Sequence, residues 1–189
     1  SHQATTYFAA VSGIPNCEVI SCSSSSEAEF YLYEAICRFN NDKKEGKLPK
    51  SYIFFLGREN YPRTYGHENY EWKKAQVLRE GKDITIVATG PTVKNALLAA
   101  DLMENSGVSA TVINNTFINN PDLETIIGEL GKTKQRLLTV EDHQMIGGMG
   151  GQLCHQLKQH GVSHQYKCLG IPGHFGQSAY MSMQLYDKY

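Results

Sequence analysis

The chain has 189 residues, of which 41% are hydrophobic, 20% charged and 10% aromatic, which excludes a disordered or fibrous protein. Lys and Arg together number 18 and Asp and Glu 19, a formal charge of −1, so no basic excess is available to grip a nucleic acid or an anionic membrane. No apolar run reaches the roughly 18–20 residues that cross a bilayer, and the opening Ser1-His2-Gln3-Ala4 has neither the basic nor the apolar region of an export signal. Cys17, Cys22, Cys37, Cys154 and Cys168 form no C-x-x-C pair. They read as free thiols in a reducing, cytoplasmic setting, with Cys37 and Cys154 as small hydrophobes inside helical patterns.

In chain order, residues 1 to about 75 hold two strong strand signals, Cys17 to Ser21 and Tyr52 to Leu56, around one long helix. Ser26 and Glu29 have capping-box spacing at its start, and Phe30, Tyr33, Ile36 and Cys37 form an apolar stripe. Asn40 to Lys47 reads as a solvated loop. Two strands rarely make a stable sheet alone, so this segment is expected to be the later part of a half-domain whose earlier part precedes Ser1.

From residue 76 the pattern changes to apolar strands alternating with helices, as in a parallel sheet with crossover helices. Ala75 to Arg79 and Asp83 to Val87 flank a short Glu80-Gly81-Lys82 loop that suits a hairpin, and so an antiparallel edge strand. Ile84 to Ala88 is a buried strand, and the helix after Gly90-Pro91-Thr92 carries Val93, Ala96, Leu97 and Ala100 before a left-handed stop at Gly107. Ala110 to Ile113 and Arg136 to Val140 are strands on either side of a short helix opened by Pro121. A helix through Leu153 and Leu157, a strand from Tyr166 to Ile171 and a helix from Ala179 to Tyr186 complete an α/β domain with a doubly wound, mostly parallel sheet.

Three places could carry chemistry. Glu141-Asp142-His143, followed by the glycine-rich turn Gly147 to Gly151, lies between a strand and a helix, where open α/β sheets bind ligands and a helix N-terminus offers free N–H groups. It fits neither G-x-G-x-x-G nor a P-loop, and the competing reading is a tight turn with Glu141 as a cap. Arg58, delivered by the strand before it, can fork two hydrogen bonds onto a phosphate, the competing reading being a surface salt bridge. His2, the third, stands at the start of the chain, where a histidine is normally frayed and solvated. His67, His155, His160, His164 and His174 show no metal-ligand spacing, and no metal site is expected.

Taken in order, several segments resemble transketolases. Ser1-His2-Gln3-Ala4 resembles the end of their D-G-P-T-H-Q-P segment, Ile14-Pro15-Asn16 their R-x-I-P-N, and Gly57-Arg58-Glu59-Asn60-Tyr61-Pro62 their S-R-Q-N-L-P. Gly81 to Gly90, Val140-Glu141-Asp142-His143 and Phe175-Gly176-Gln177-Ser178-Ala179 are similar to the C-terminal domain of the same family. Ala4 replaces a family proline, and Cys22 to Ser26 replaces a P-A-D-G-N stretch.

The resemblance implies residues 1–75 as the C-terminal half of a pyrimidine-binding domain with its linker, and residues 76–189 as the C-terminal domain. It implies transfer of a two-carbon ketol unit from a ketose phosphate to an aldose phosphate by the complete enzyme, a homodimer using thiamine diphosphate and a divalent metal, Mg or Ca. His2 would then contact the substrate beside its reacting carbons, as the catalytic residue in this chain, and Arg58 would hold the sugar phosphate. The activating glutamate and the metal motif of the family lie upstream of these segments, so this chain alone is expected to bind no cofactor and to need an upstream portion or partner subunit. The alternatives are a noncatalytic dimerisation or regulatory module, and part of a related enzyme, deoxyxylulose-phosphate synthase or the β subunit of a 2-oxoacid dehydrogenase.

Overall fold

The computed structural model describes residues 5–57, 60–66, 68–176 and 183–186. A short helix α1 (Tyr7–Ser12) precedes β1 (Cys17–Ser21), α2 (Ser25–Lys44) and β2 (Ser51–Phe55). Then come β3 (Gln76–Arg79), β4 (Ile84–Ala88), α3 (Thr92–Asn105), β5 (Ala110–Asn114), α4 (Leu123–Lys132), β6 (Arg136–Gln144), α5 (Met149–Gln159), β7 (Gln165–Ile171) and α6 (Met183–Tyr186). Of the helix expected from Ala179, the first part falls on residues outside those described.

Strands β3 to β7 form one sheet in the order β3-β5-β4-β6-β7, parallel except for β3, which runs antiparallel to β5 at the edge. This is the expected α/β sheet, and the expected antiparallel edge strand is present. Its partner differs from the expected hairpin. β5 lies between β3 and β4, and the link from Glu80 to Asp83 passes across the start of β5, where the N–H groups of Lys82 and Asp83 both donate to the Ser109 carbonyl. Gly81 permits the crossing, because a Cβ there would lie 2.3 Å from the Ala110 carbonyl carbon. The loop length that suggests a hairpin is the same length that spans one intervening strand.

β1 and β2 form a separate parallel pair, aligned from Cys17 with Ser51 to Ser21 with Phe55. The other edge of β1 is occupied by the segment after β5: Ser21 N–H donates to Thr116 O, Ile118 N–H to Val19 O, and Val19 N–H to the Asn119 side chain. The main core joins both parts of the chain, with Phe8 and Val19 packed among Val87, Ile113, Ile126, Leu130, Leu153 and Leu157. A second core fills the other face of the large sheet between β4, β5 and α3.

Helix α2 departs from its sequence reading in three ways. Its N-cap is Ser24, whose hydroxyl accepts from the Glu27 N–H, and the first-turn N–H groups of Ser25 and Ser26 donate to the carbonyls of Pro62 and Arg63. It runs through Lys44, so the expected loop at Asn40 begins five residues later. The buried face is Glu27, Tyr31 and Ala35, while Tyr33 and Ile36 are 67% and 61% exposed. A carboxylate anchors the buried face instead of an apolar residue, which displaces the periodicity. Glu27 Oε2 accepts from the N–H and the hydroxyl of Ser23, at 2.6 and 2.8 Å, and Oε1 accepts from Asn114 Nδ2 at 2.9 Å and from the Thr116 hydroxyl. Among the described residues no helix is long and apolar enough to cross a membrane.

Candidate functional site

The parallel strands β1, β2, β4 and β6 bring their carboxyl ends to one region, the place where open α/β sheets carry ligand sites. A cavity of about 200 Å³ opens there, lined by Thr5 and Tyr7 before and in α1, Ser21 at the end of β1, Phe55 to Gly57 at the end of β2, Pro91 after β4, and Asp142 and His143 on β6. His2 and Arg58 lie outside the described residues. Their described neighbours Thr5 and Gly57 both line this cavity.

His143 is held on several sides. Its ring stacks on Phe8 with centroids 3.6 Å apart and planes 10° from parallel, and meets Phe55 edge-on at 5.6 Å. Its Nδ1 lies 2.8 Å from Asp142 Oδ1. A carboxylate only accepts, so Nδ1 carries a proton and donates it to Asp142. α1, which has no counterpart in the sequence reading, supplies the stacking partner and closes one side of the cavity. The signal that could have found it is the pair Tyr7-Phe8 before Ala9, Ala10 and Val11.

Glu141 has a different task. β6 continues through Gln144, beyond the expected end at Val140, and its ladder with β7 is irregular between Val140 and Gln144. This turns the Glu141 carboxylate onto the start of α5, where Oε2 accepts from Met149 N–H at 2.7 Å and Oε1 from Gly150 N–H at 2.9 Å. Burial pushes its pKa up to about 7, against those two donors and His143, which favour the anion. The carboxylate therefore fills the position that a phosphate would take at this helix end, and the cap reading of the glycine-rich turn holds. Gly150 is required by packing, since a Cβ would come within 2.2 Å of Thr139 Oγ1.

Among the described residues no group of three His, Cys, Asp or Glu side chains is arranged to hold a metal ion. The N-termini of α2 and α5 spend the N–H groups named above on internal acceptors. The described part of the chain thus offers no cradle for a diphosphate and its metal at either place. All five cysteines are free, and burial pushes the Cys154 thiol up to about 11, which keeps it protonated at neutral pH.

Comparison with known proteins gives a consistent set of relatives. Residues 73–188 match the family model of the transketolase C-terminal domain. A Methanocaldococcus jannaschii protein carrying the provisional name transketolase C-terminal section is 30% identical over 181 residues, covering 94% of this chain and 53% of that protein. A 1-deoxy-D-xylulose-5-phosphate synthase of Desulfitobacterium hafniense is 46% identical over 90 residues, 48% of this chain and 14% of that enzyme. A split-gene transketolase solved as an inactive β4 tetramer superposes with a TM-score of 0.80 at 27% identity, covering all of this chain and 57% of that one. The chain spans about half, or less, of the length of these relatives.

Proposed function

The chain belongs to the transketolase C-terminal domain family, and from that premise we propose that it is the C-terminal portion of a transketolase, moving a two-carbon ketol unit between sugar phosphates once joined by an upstream portion. In this reading residues 1–75 complete a pyrimidine-binding domain and residues 76–189 form the C-terminal domain. The upstream portion, on the same polypeptide or a partner subunit, holds thiamine diphosphate and a divalent metal, and the assembled enzyme is a dimer. When bound, the cofactor supplies the carbanion chemistry of the two-carbon transfer.

The observation that carries the reading is the convergence of Thr5, Gly57 and His143 on one cavity at the strand ends. Thr5 follows His2 by three residues and Gly57 immediately precedes Arg58. Arg58 is assigned to clamp the sugar phosphate through paired N–H groups, and His2 to hydrogen-bond the substrate next to its reacting carbons. His143, fixed by Phe8, Phe55 and Asp142, is assigned to shape the wall.

A second reading, a noncatalytic assembly or regulatory module, is favoured by the structural neighbour described as an inactive β4 tetramer. One experiment separates them. Calorimetry of the 189-residue chain with thiamine diphosphate and magnesium is expected to be silent. Addition of a polypeptide carrying the upstream half is expected to give both cofactor binding and ketol transfer. Micromolar cofactor binding by this chain alone would overturn the division of labour, and a complex that binds cofactor but stays inactive would favour the module.

A further inference from the structure

At the opposite end of β1 and β2 from the cavity described above lies a second one, of about 370 Å³, lined by Glu18, Arg38, Asn41, Asp42, Lys50, Tyr52, Trp72 and Lys73. Its floor is a fully buried carboxylate. Glu18 Oε1 receives Lys50 Nζ at 2.5 Å and Lys73 Nζ at 2.7 Å, and Oε2 receives Asn120 Nδ2 at 2.8 Å. Both carboxylate oxygens are therefore engaged. The two ammonium groups are not, since each carries three N–H donors and spends one on Glu18. Arg38 adds a guanidinium 4.5 Å over the Trp72 ring, with a single ion pair to Glu34 at 3.3 Å. Asp42 and the Tyr52 hydroxyl are the side-chain acceptors left on the lining with Asn41, so the unspent hydrogen-bonding capacity is mainly that of donors.

The backbone supports the same reading. Lys73 is held at φ +64°, a left-handed conformation that L residues with long side chains adopt rarely and at a cost. That conformation lies beside Trp72 and delivers the second ammonium to Glu18. The aromatic wall is also fixed: Trp72 meets Tyr52 edge-on at 5.7 Å and packs against Tyr31 and Phe117. Lys50, Lys73 and Arg38 outnumber the two carboxylates of the lining, Glu18 and Asp42, and together with the rigid aromatic wall they make a cavity suited to an anion with an organic body.

We propose that this cavity is a binding site for a small phosphomonoester, its phosphate taken by Lys50, Lys73 and Arg38 and its organic body lying against Tyr52 and Trp72. The site is separate from the cavity at the carboxyl ends of the strands, so it would act as an effector site and not as a substrate pocket. It does not depend on the assignment of Arg58 or His2.

Trp72 is the one tryptophan of the chain, so its fluorescence reports directly on occupancy. The 189-residue chain would be titrated with phenyl phosphate, with inorganic phosphate, and with sodium chloride at matched ionic strength. A saturable change is expected with phenyl phosphate, weaker binding with inorganic phosphate, and no saturable change with chloride. Arg38→Gln, a surface change that leaves the Glu18 contacts in place, and Lys50→Gln are each expected to weaken binding about tenfold, the scale of one lost charged hydrogen bond. If Lys50→Gln fails to fold, Arg38→Gln carries the test. The proposal is overturned by an absent or chloride-matched response, by undiminished binding in Arg38→Gln, or by inorganic phosphate binding as tightly as phenyl phosphate.

Discussion

Replacing Glu27 by alanine and by glutamine should have very different outcomes, and the contrast tests how the two parts of the chain are joined. The side chain is fully buried and receives four donors: the N–H and hydroxyl of Ser23 in the turn before α2, and Asn114 and Thr116 from the end of β5 and the loop beyond. Alanine leaves all four without their acceptor. An orphaned buried polar group costs about 1–3 kcal/mol, and with partial rescue by water the total loss should be about 3–5 kcal/mol, a large part of the roughly 5–15 kcal/mol that holds a domain folded. Glutamine can keep its oxygen toward Ser23 and turn its amide toward Asn114 and Thr116. The Asn114 Oδ1 atom is buried without a donor, so a turned Asn114 amide and a rotated Thr116 hydroxyl can accept from it, and the loss should stay near 1 kcal/mol. Burial, outweighing the Thr116, Ser23 and Asn114 hydrogen bonds, raises the pKa of Glu27. A carboxyl raised on folding adds stability that is complete below its unfolded value and is lost as pH rises through the folded one. Wild type should therefore lose stability relative to Glu27→Gln as pH is raised from about 4.3, the ordinary glutamate value. Urea unfolding of the three proteins at several pH values measures both effects. Equal losses for Ala and Gln, or a pH slope unchanged in Glu27→Gln, would refute the reasoning.

The other predictions concern packing and the candidate site. Gly81→Ala places a methyl group 2.3 Å from the β5 backbone and breaks the reciprocal hydrogen bonds with Thr111, so it should cost about 3 kcal/mol or more in urea unfolding; Gly128→Ala, exposed in α4 with nothing within 4 Å, should stabilise by about 0.5–1 kcal/mol. In the assembled enzyme, Arg58→Ala should raise the Michaelis constant about tenfold or more for phosphorylated sugars and much less for an unphosphorylated one, and equal effects on both would remove Arg58 from the phosphate site. His143→Asn should lower turnover no more than about tenfold, below the 10²–10⁴ of a lost general acid or base, and a larger loss with thiamine diphosphate still bound would make His143 a proton-transfer group.

What could be read from the sequence was what local chemistry decides. β4, β5 and the first half of β6 are short apolar runs because parallel strands are buried on both faces, and Gly107 ends α3 at φ +79° as its place after Asn105-Ser106 implies. Several of the misses depend on partners far along the chain. The buried face of α2 turns on Glu27, whose acceptor role is created by Asn114 and Thr116, 87 and 89 residues away. The pairing of β3 with β5 instead of β4 was marked only by Gly81, a residue that also fits a turn. At the site, the strand end before Arg58 and the cap role of Glu141 were legible. The stacking of His143 on Phe8 was not, because nothing local links residue 8 to residue 143.

The edges of the small sheet bear on how an upstream portion could attach. β1 is paired on both sides, by β2 and by the segment around Phe117. Additional strands of the same half-domain therefore cannot join at β1 without displacing that segment. Among the described residues β2 pairs only with β1, which leaves Ser51 to Phe55, with Ile53, Phe54 and Phe55 in it, as an open parallel edge. An apolar edge strand of this kind is a template for further pairing. The same end of β2 leads into the cavity rim, where Leu56 is 54% and Tyr7 41% exposed. An open strand edge and an apolar rim that meet at one end of β2 give a further chain segment a single continuous face to cover, and covering it would close the cavity.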